Sequence, residues 1–382
     1  MDLVLSEEQE LLQRTARDFV AGHTPLKRLR QLRDASDPDG FSRDLWEEMG
    51  QLGWTGLLFP EDFGGSGLGY LDLMVLMEEL GRGLAPEPML STVLLGGNAL
   101  LLGGSEVQKQ EHLSQVAAGK RLLALAFQEA GSRYDVHRVE TRAEKSGTGW
   151  KLSGEKIQVL DGHVADLLIV SARTSGGAND DQGITLFALR ADTPGLTVTR
   201  QSRVDSRNVA LVRLDGVQAS ADNLVGRPDT GGELLRRVVD RATIGLCAEM
   251  LGGMLGAFDL TTDYLKTRVQ FGTVIGTFQA LKHRAAKMYV ETELARSAVM
   301  HGHRVLDEGR SDEAIARAAC IAKARCSDAF VLIGNEAVQM HGGIGMTDEH
   351  DIGFFLKRAR VAEITFGDSA YQRERLARLD AY

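Results

Sequence analysis

The chain has 382 residues, enough for one large domain or two to three ordinary ones, and 43% of them are hydrophobic, which supplies a sizeable core. Its 44 basic and 53 acidic residues give a formal net charge of -9, so charge gives no reason to expect a nucleic-acid partner. The cysteines, Cys247, Cys320 and Cys326, lack metal-ligand spacing, and we expect reduced, buried thiols. The start MDLVLSEEQE is unlike a signal peptide, and no window approaches the roughly 20 apolar residues of a membrane span, so we expect a cytoplasmic protein.

The first 121 residues have the pattern of α-helices. Ser6 to Gln9 and Ser105 to Gln108 both match the S-x-x-[EQ] capping box, and each opens an amphipathic run. The glycines at 64 to 69 lack G-x-G-x-x-G spacing and follow no β-branched strand. We interpret that segment as a structural or substrate-side loop, and we predict an N-terminal helical domain over residues 1–121.

From Leu122 the pattern changes to about seven short β-rich runs separated by Gly, Asn and Asp turns. Their spacing of about 8 to 12 residues predicts an antiparallel sandwich or barrel over residues 122–230. After the break GRPDTGG the chain returns to long helices, which predict a four- to five-helix bundle over residues 231–382 and favour an oligomer. The fold class is therefore α+β, and the predicted bundle helices are 233–267, 277–308, 312–337, 348–361 and 369–380.

Two segments of the bundle resemble motifs of the acyl-CoA dehydrogenase family. The family's Y-x-x-x-R-x-x-F-G-x-x-[IL]…Q segment is similar to DYLKTRVQFGTVIGTFQALKHRAAKM, and its Q-x-x-G-G-x-G segment is similar to QMHGGIGMTDEHDIGFFLKRAR. With SEEQELL and FPEDFGGSGLGYLDLMVLMEELGR, the resemblance covers nearly the whole chain. It implies an FAD enzyme that desaturates an acyl-CoA thioester between Cα and Cβ.

The resemblance assigns six bundle residues to FAD. A pyrophosphate suits a guanidinium group and closely approaching backbone amides. The simpler alternative is that the arginine only caps a helix and the glycines only end the next one, but their joint occurrence in family order favours cofactor binding. The resemblance assigns Arg268, Phe271 and Gln279 to the ADP half of FAD, and Gln339, Gly342 and Gly343 to the FAD of a neighbouring subunit.

In the β domain, the segment from LALAFQEAGSRYD to LSGEKIQVLDG resembles the family's flavin-facing signature T-E-P-x-A-G-S-D…G-x-K-x-[WY]-I-[ST]-[NG]-[GA]. Phe127 and Gln128 would place backbone amides near the flavin ring. Tyr134 stands at the position of the usual serine, and Gln158 at that of the usual aromatic residue. The variant GSRYD resembles small subunits of pimeloyl-CoA dehydrogenase-like heteromers, which favours dicarboxylic or bulky, ring-bearing acyl groups.

The reaction needs a carboxylate that removes a proton from Cα and hydrogen bonds that stabilise the thioester oxygen. Most members supply the carboxylate as the Glu of I-Y-E-G-T, but that position is Phe366 here, whose backbone N–H would still polarise the carbonyl. Asp240, beside Arg241, falls where branches similar to isovaleryl and long-chain acyl-CoA dehydrogenases place their carboxylate. An aspartate reaches roughly 1.5 Å less than a glutamate, and a misplacement of about 1 Å can cost around a hundredfold in rate.

Five other titratable residues have a structural interpretation. Asp368 precedes a helix and is expected to cap it, whereas Glu249 is expected to have a structural role and His341 to pack. His301 and His303 lie on different faces of one helix, so we predict no metal site there.

Three functions stay open. The first is an acyl-CoA dehydrogenase that uses Asp240 as its base and passes electrons to an electron-transfer flavoprotein. The second is a non-catalytic partner subunit of a heteromeric dehydrogenase, in which a paralogous chain supplies the glutamate. Asp240 would then be an acidic residue in the first helical turns that the helix dipole stabilises or that pairs with Arg236 or Arg237. The third is a flavin oxidase or monooxygenase on the same fold. Under the first two hypotheses we expect FAD as the cofactor, no metal and no membrane insertion. We also expect a homodimer, homotetramer or heteromer.

Overall fold

The structure, a computed structural model, describes residues 5–382. Two stretches inside helical regions, Met89–Gly97 and Lys109–Leu113, have π-helical geometry. The helices are α1 (Glu7–His23), α2 (Leu26–Asp34), α3 (Arg43–Gln51), α4 (Tyr70–Arg82), α5 (Asn98–Gly103), α6 (Glu106–Gln108), α7 (Ser114–Ala117), α8 (Gly231–Thr267), α9 (Gln279–Asp307), α10 (Asp312–His341), α11 (Ile352–Ile364) and α12 (Ser369–Leu379). The strands are β1 (Leu123–Ala126), β2 (Arg142–Ser146), β3 (Gly149–Leu160), β4 (Leu167–Arg173), β5 (Ile184–Arg190), β6 (Leu196–Gln201), β7 (Val209–Ala219), β8 (Leu224–Val225), β9 (Val269–Gln270) and β10 (Thr273–Val274).

These elements form two compact units, and each draws on separate stretches of the sequence. The predicted helical segment 1–121 contributes to both units. The domain boundaries at residues 121 and 230 remain predictions. Unit 1 combines the N-terminal residues up to Ala35 with Gly69–Ala85 and Thr243–Tyr382, and unit 2 combines Ser36–Leu68 with Pro86–Ala242.

Both predicted capping boxes are confirmed. At the start of α1 the Ser6 hydroxyl accepts a hydrogen bond from the Gln9 N–H at 3.2 Å, and the Gln9 side chain accepts one from the Ser6 N–H at 3.1 Å. The same reciprocal pair joins Ser105 and Gln108. Each box satisfies two N–H groups that a helix start leaves without an intrahelical partner.

Unit 1 is helical apart from the β9–β10 hairpin, and glycines bring two of its helices into close contact. A Cβ added at Gly252 of α8 would lie 1.8 Å from the Glu78 carbonyl oxygen of α4, and one at Gly81 would lie 2.1 Å from the Glu249 carbonyl oxygen. No larger residue fits at these two positions without a backbone shift. Arg296 of α9 then pairs with the buried Glu78 carboxylate at 2.9 and 3.1 Å, which ties a third helix to the crossing.

Contrary to the expectation that no window approaches a membrane span, helix α8 contains a window long and apolar enough to cross a membrane by composition alone. Within the described residues it is the one helix of this kind, and 78% of that window is buried inside the protein. A buried core helix has the same composition, so this window gives weak support for a membrane span.

Unit 2 is built on an eight-stranded sheet. Its order is β6-β7-β3-β2-β4-β5-β8, with β1 paired to β4. The neighbouring pairs are antiparallel as predicted, except that β1 runs parallel to β4 and β2 makes one parallel contact with β4. The sheet is therefore mixed, because β1 reaches β4 across a connection that contains β2 and β3. Trp150 and Phe187, with ring centroids 5.6 Å apart, belong to the apolar core of this sheet.

Candidate functional site

The end of α8 carries the first group of residues assigned to FAD. Arg268 follows the helix and its exposed side chain extends from a short turn before β9. Phe271 sits at the tip of the β9–β10 hairpin with φ +52°, and 93% of it is exposed. Its ring lies 6.3 Å, centroid to centroid, from that of Phe278, the residue before Gln279 at the start of α9. The hairpin thus brings Phe271 close to the start of α9, beside Gln279.

The second group lies where α10 ends. Gln339 is exposed in its last turn, and the helix stops at Gly342, whose φ of 65° and ψ of -141° are accessible essentially only to glycine. A Cβ added at Gly342 or Gly343 would meet no atom within 4 Å, so both backbone segments face open space. Open, glycine-permitted backbone of this kind allows a ligand to approach the amides closely.

A cluster of rings joins these two groups. Tyr264 of α8 stacks on His341 of α10 with centroids 4.5 Å apart, and His350 lies 4.3 Å from His341. The Nδ1 atom of His341 is 2.7 Å from the Ala337 carbonyl, while its buried Nε2 has no hydrogen-bond partner among residues 5–382. Burial lowers the pKa of His341, so the ring is neutral at physiological pH. The expected packing role of His341 is therefore visible, and it places the end of α8 against the end of α10.

Phe366 lies in the short loop between α11 and α12. Its side chain is buried and its φ is +59°, a left-handed conformation that costs a non-glycine residue roughly 1–3 kcal/mol unless its surroundings hold it. The Gln372 side-chain amide donates to the Phe366 carbonyl at 2.8 Å. Asp368 accepts from the Tyr371 N–H at 2.9 Å as the N-cap of α12, as predicted.

In unit 2, Phe127 and Gln128 directly follow β1. Phe127 is buried, and the Gln128 carbonyl accepts from the Ile157 N–H of β3 at 2.8 Å. Gln158, next along β3, has a φ of +53° and an exposed side chain. A shift in the pairing register of β3 and β7 lies between Lys156 and Val159, and such irregularities commonly occur beside active sites. The structure thus brings the two parts of the predicted flavin-facing signature together.

A buried ion pair that was not predicted from the sequence supports the segment that follows Gln128. The Lys156 ammonium lies 2.6 Å from one oxygen of Glu129, whose carboxylate also accepts the N–H groups of Glu140 and Thr141. Burial lowers the pKa of Lys156 to about 8, while the Glu129 charge opposes this shift. Burial alone would raise the pKa of Glu129, but the Lys156 charge and the hydrogen bonds bring it below its usual value. The pair is therefore charged near neutral pH and holds the segment that follows Gln128.

Asp240 lies early in α8 and is 3% exposed. Arg241, beside it, is half-buried and its guanidinium donates to the Arg237 carbonyl at 3.0 Å. Asp240 and Arg241 belong to unit 2 with Phe127 and Gln128, whereas the remaining assigned residues belong to unit 1.

Several structural interpretations from the sequence are also confirmed. Glu249 forms a buried ion pair with Arg358 of α11, with nitrogen–oxygen distances of 2.8 and 3.1 Å. His301 is exposed while His303 is buried, so they do lie on different faces of α9. All three cysteines are free and buried.

Within residues 5–382, the structure shows no group of three or more His, Cys, Asp or Glu side chains that could hold a metal ion.

Comparison with known proteins covers almost the whole chain. The family models for the N-terminal, middle and C-terminal domains of acyl-CoA dehydrogenase match residues 6–120, 124–217 and 229–379. The Bacillus subtilis protein named Probable acyl-CoA dehydrogenase YngJ is 31% identical over 384 residues, 99% of both chains. Mitochondrial isovaleryl-CoA dehydrogenase of Pongo abelii is 31% identical over 378 residues, 97% of this chain and 88% of that protein.

A solved structure is similar over the same extent. A chain in the crystal structure of the ChsE4-ChsE5 complex from Mycobacterium tuberculosis matches with a TM-score of 0.89 and 27% identity, and the match covers 100% of this chain and 99% of that chain. The arrangement of helices and sheet is therefore shared with a chain that was crystallised in a complex.

Proposed function

This chain belongs to the acyl-CoA dehydrogenase family, and we propose that it dehydrogenates its acyl-CoA substrate with Asp240 as the base. Members of the family are FAD-dependent, so the chain is a flavoprotein, an oxidoreductase of lipid metabolism that acts on acyl-CoA thioesters. One observation carries the proposal for the base: Asp240 is a buried carboxylate in α8, while the position of the usual glutamate is Phe366.

The residues at the ends of α8 and α10 fit the pyrophosphate of FAD. The backbone at Gly342 and Gly343 is open, the Arg268 guanidinium is exposed, and the neutral His341 has a nitrogen that lacks a partner within residues 5–382. FAD, when bound, would accept the hydride that leaves Cβ. We assign Arg268, Phe271 and Gln279 to the ADP half of FAD, Gln339, Gly342 and Gly343 to the FAD of a neighbouring subunit, and the backbone amides of Phe127 and Gln128 to the flavin ring.

The remaining chemistry falls to residues of the chain. Asp240 would take the proton from Cα, and Arg241 beside it is part of the same proposed catalytic site. The Phe366 N–H would donate to the thioester oxygen, which stabilises the negative charge that develops as the proton leaves. Proton removal is therefore assigned to Asp240, and polarisation of the thioester carbonyl to Phe366.

We further propose that an electron-transfer flavoprotein takes up the electrons and that the protein works in the cytoplasm as a homodimer, homotetramer or heteromer. The exposed Phe271 supports a covering subunit, because a large aromatic ring with 93% exposure gains from burial in an interface. For the substrate we propose a dicarboxylic or bulky, ring-bearing acyl-CoA, on the strength of Tyr134 and Gln158 at positions where the family has other residues.

A second function is a partner subunit without its own base, and three positions at which this chain departs from the family pattern support it. Phe366, Gln158 and Tyr134 all differ from the family pattern, and the similar chain from Mycobacterium tuberculosis was crystallised as part of a complex. In such a heteromer this chain would complete a shared FAD site while a paralogous chain supplies the glutamate. Co-purification of a second chain of similar size would support this function.

The substitution Asp240→Asn tests the first function. It keeps the size of the side chain and removes the base, so we expect kcat to fall by about 10²–10⁴, the usual contribution of a general base. Flavin content and the unfolding midpoint should stay unchanged. Glu233→Gln is the matched control, because Glu233 is an exposed acid on the same helix, and its kcat should equal that of the wild type.

Two outcomes would contradict the assignment in different ways. Full turnover in Asp240→Asn would show that another group removes the proton. A wild-type chain that binds FAD but turns over only together with a second chain would favour the partner-subunit function instead.

A further inference from the structure

A buried lysine outside the assigned site residues holds the loop that carries Phe366. Lys323 of α10 is 0% exposed. Its Nζ donates to the Glu363 carbonyl at 2.8 Å, to the Gly367 carbonyl at 2.9 Å and to the Ser327 hydroxyl at 3.0 Å. An ammonium group has three N–H bonds, so each of them has an acceptor.

The two carbonyls lie on either side of Phe366. Glu363 is in the last turn of α11, and Gly367 is the residue before the N-cap of α12. The intervening backbone is unusual, since Phe366 has a φ of +59° and Gly367 a φ of +106°. A left-handed non-glycine residue persists only where its surroundings hold it, and Lys323 provides two of the anchors.

We propose that Lys323 is a positioning residue for the reaction, which fixes the direction of the Phe366 N–H by binding the carbonyls of Glu363 and Gly367. This inference rests on the proposed function, in which that N–H polarises the thioester. Loss of the ammonium group would let the loop relax and would weaken the hydrogen bond to the substrate carbonyl, without removing any group that contacts substrate.

The groups around Lys323 define its charge. Burial lowers the pKa of Lys323 to about 8. The carboxylates of Glu363 of α11 and Asp368 before α12 oppose this shift and favour the charged form. Lys323 is therefore an ammonium at neutral pH, and above about pH 8 it loses one donor and its charge.

The test measures the thioester carbonyl directly, with the FAD-loaded chain and the probe [1-13C]acetyl-CoA. This thioester has no Cβ, so it cannot be oxidised and it needs no knowledge of the natural acyl group. Hydrogen bonds to a carbonyl lower its infrared stretching frequency. We expect a shift to lower frequency in the wild type and a shift of roughly half that size or less in Lys323→Met.

The matched control is Ser327→Ala. It removes one acceptor of the same ammonium but leaves both carbonyl bonds, so we expect the wild-type shift. A full shift in Lys323→Met would overturn the positioning role, because the loop would then hold the N–H without the lysine. If the wild type itself shows no shift, the proposed role of Phe366 fails instead, and the two failures are thereby distinguished.

A second measurement covers the case in which Lys323→Met does not fold. It uses Lys323→Gln, whose uncharged side chain is one atom shorter than that of lysine and therefore cannot bind both carbonyls at the same geometry. We expect a carbonyl shift of roughly half the wild-type size or less, and a full shift in Lys323→Gln would overturn the inference.

Discussion

In most members of the family, one glutamate both removes the Cα proton and uses its backbone N–H to polarise the thioester carbonyl, and Phe366 stands at that position here. A phenylalanine keeps the backbone N–H of that position but has no carboxylate, so the proton must go elsewhere. Asp240 is the residue we propose for it. Phe366 combines a buried side chain with a left-handed backbone, and this conformation fits the backbone role that we propose for its N–H.

His303 gives a prediction about stability and pH. It is fully buried, its Nδ1 lies 2.8 Å from the Val299 carbonyl, and burial lowers the pKa to about 4 from 6.5. Between these values the unfolded chain binds a proton that the folded chain does not, so the free energy of unfolding falls as pH drops from 6.5 to 4 and levels off below. At about 1.4 kcal/mol per pKa unit, this loss approaches roughly 3 kcal/mol.

The substitution His303→Leu should remove most of that pH dependence. Urea unfolding at several pH values in this window measures it, and the slope should flatten relative to the wild type. His301→Gln, at the exposed histidine of the same helix, should leave the slope unchanged. An undiminished slope in His303→Leu would assign the effect to other groups.

Hydrogen bonds between residues close in the sequence were predicted better than those between distant residues. The capping boxes at Ser6 and Ser105 and the N-cap at Asp368 were predictable, because donor and acceptor lie three residues apart. The role of Lys323 was not, because Glu363 and Gly367 are 40 and 44 residues away and join it only through the packing of three helices. A lysine in a helix pattern ordinarily indicates an exposed face.

At the scale of elements, the buried Glu249–Arg358 pair links α8 to α11. Each side chain is less than a tenth exposed. Arg358→Met should lower the free energy of unfolding by about 3–5 kcal/mol, because it leaves a buried carboxylate without its partner. The double variant with Glu249→Met should lose clearly less than the sum of the two single losses, since no charge is then stranded.

Urea unfolding of the four proteins in this cycle measures the coupling. Arg378→Met, which breaks the exposed pair with Glu374 of α12, is the control and should cost at most about 1 kcal/mol. Strict additivity within the Glu249–Arg358 cycle would mean that the pair does not couple the two helices.

The bundle helices followed from the sequence within a few residues. The segment predicted at 312–337 is the helix Asp312–His341, and that predicted at 369–380 is Ser369–Leu379. The parallel pairing of β1 with β4 did not follow, because strand pairing depends on register between distant segments and not on the local alternation of side chains. The two compact units could not be predicted either, because each combines stretches that are separate in the sequence, whereas composition changes only along the chain.

At the scale of the whole molecule, we predict a flavoprotein whose cofactor site is completed by two subunits. Three of the residues assigned to FAD, Arg268, Phe271 and Gln339, lie at or just beyond the ends of α8 and α10 and are exposed in the single chain. A monomer would leave those surfaces uncovered. Folding, flavin binding and assembly are therefore expected to be coupled, in the sense that FAD stabilises the oligomer that binds it.

The measurement that tests the central claim most directly is the visible spectrum of the purified FAD-loaded protein, followed without oxygen as a panel of acyl-CoA thioesters is added. We predict that one class of acyl-CoA, dicarboxylic or ring-bearing, bleaches the flavin absorbance because its Cα–Cβ bond is oxidised. A chain that binds flavin and keeps its full absorbance with every acyl-CoA tested would contradict a dehydrogenase that works by itself.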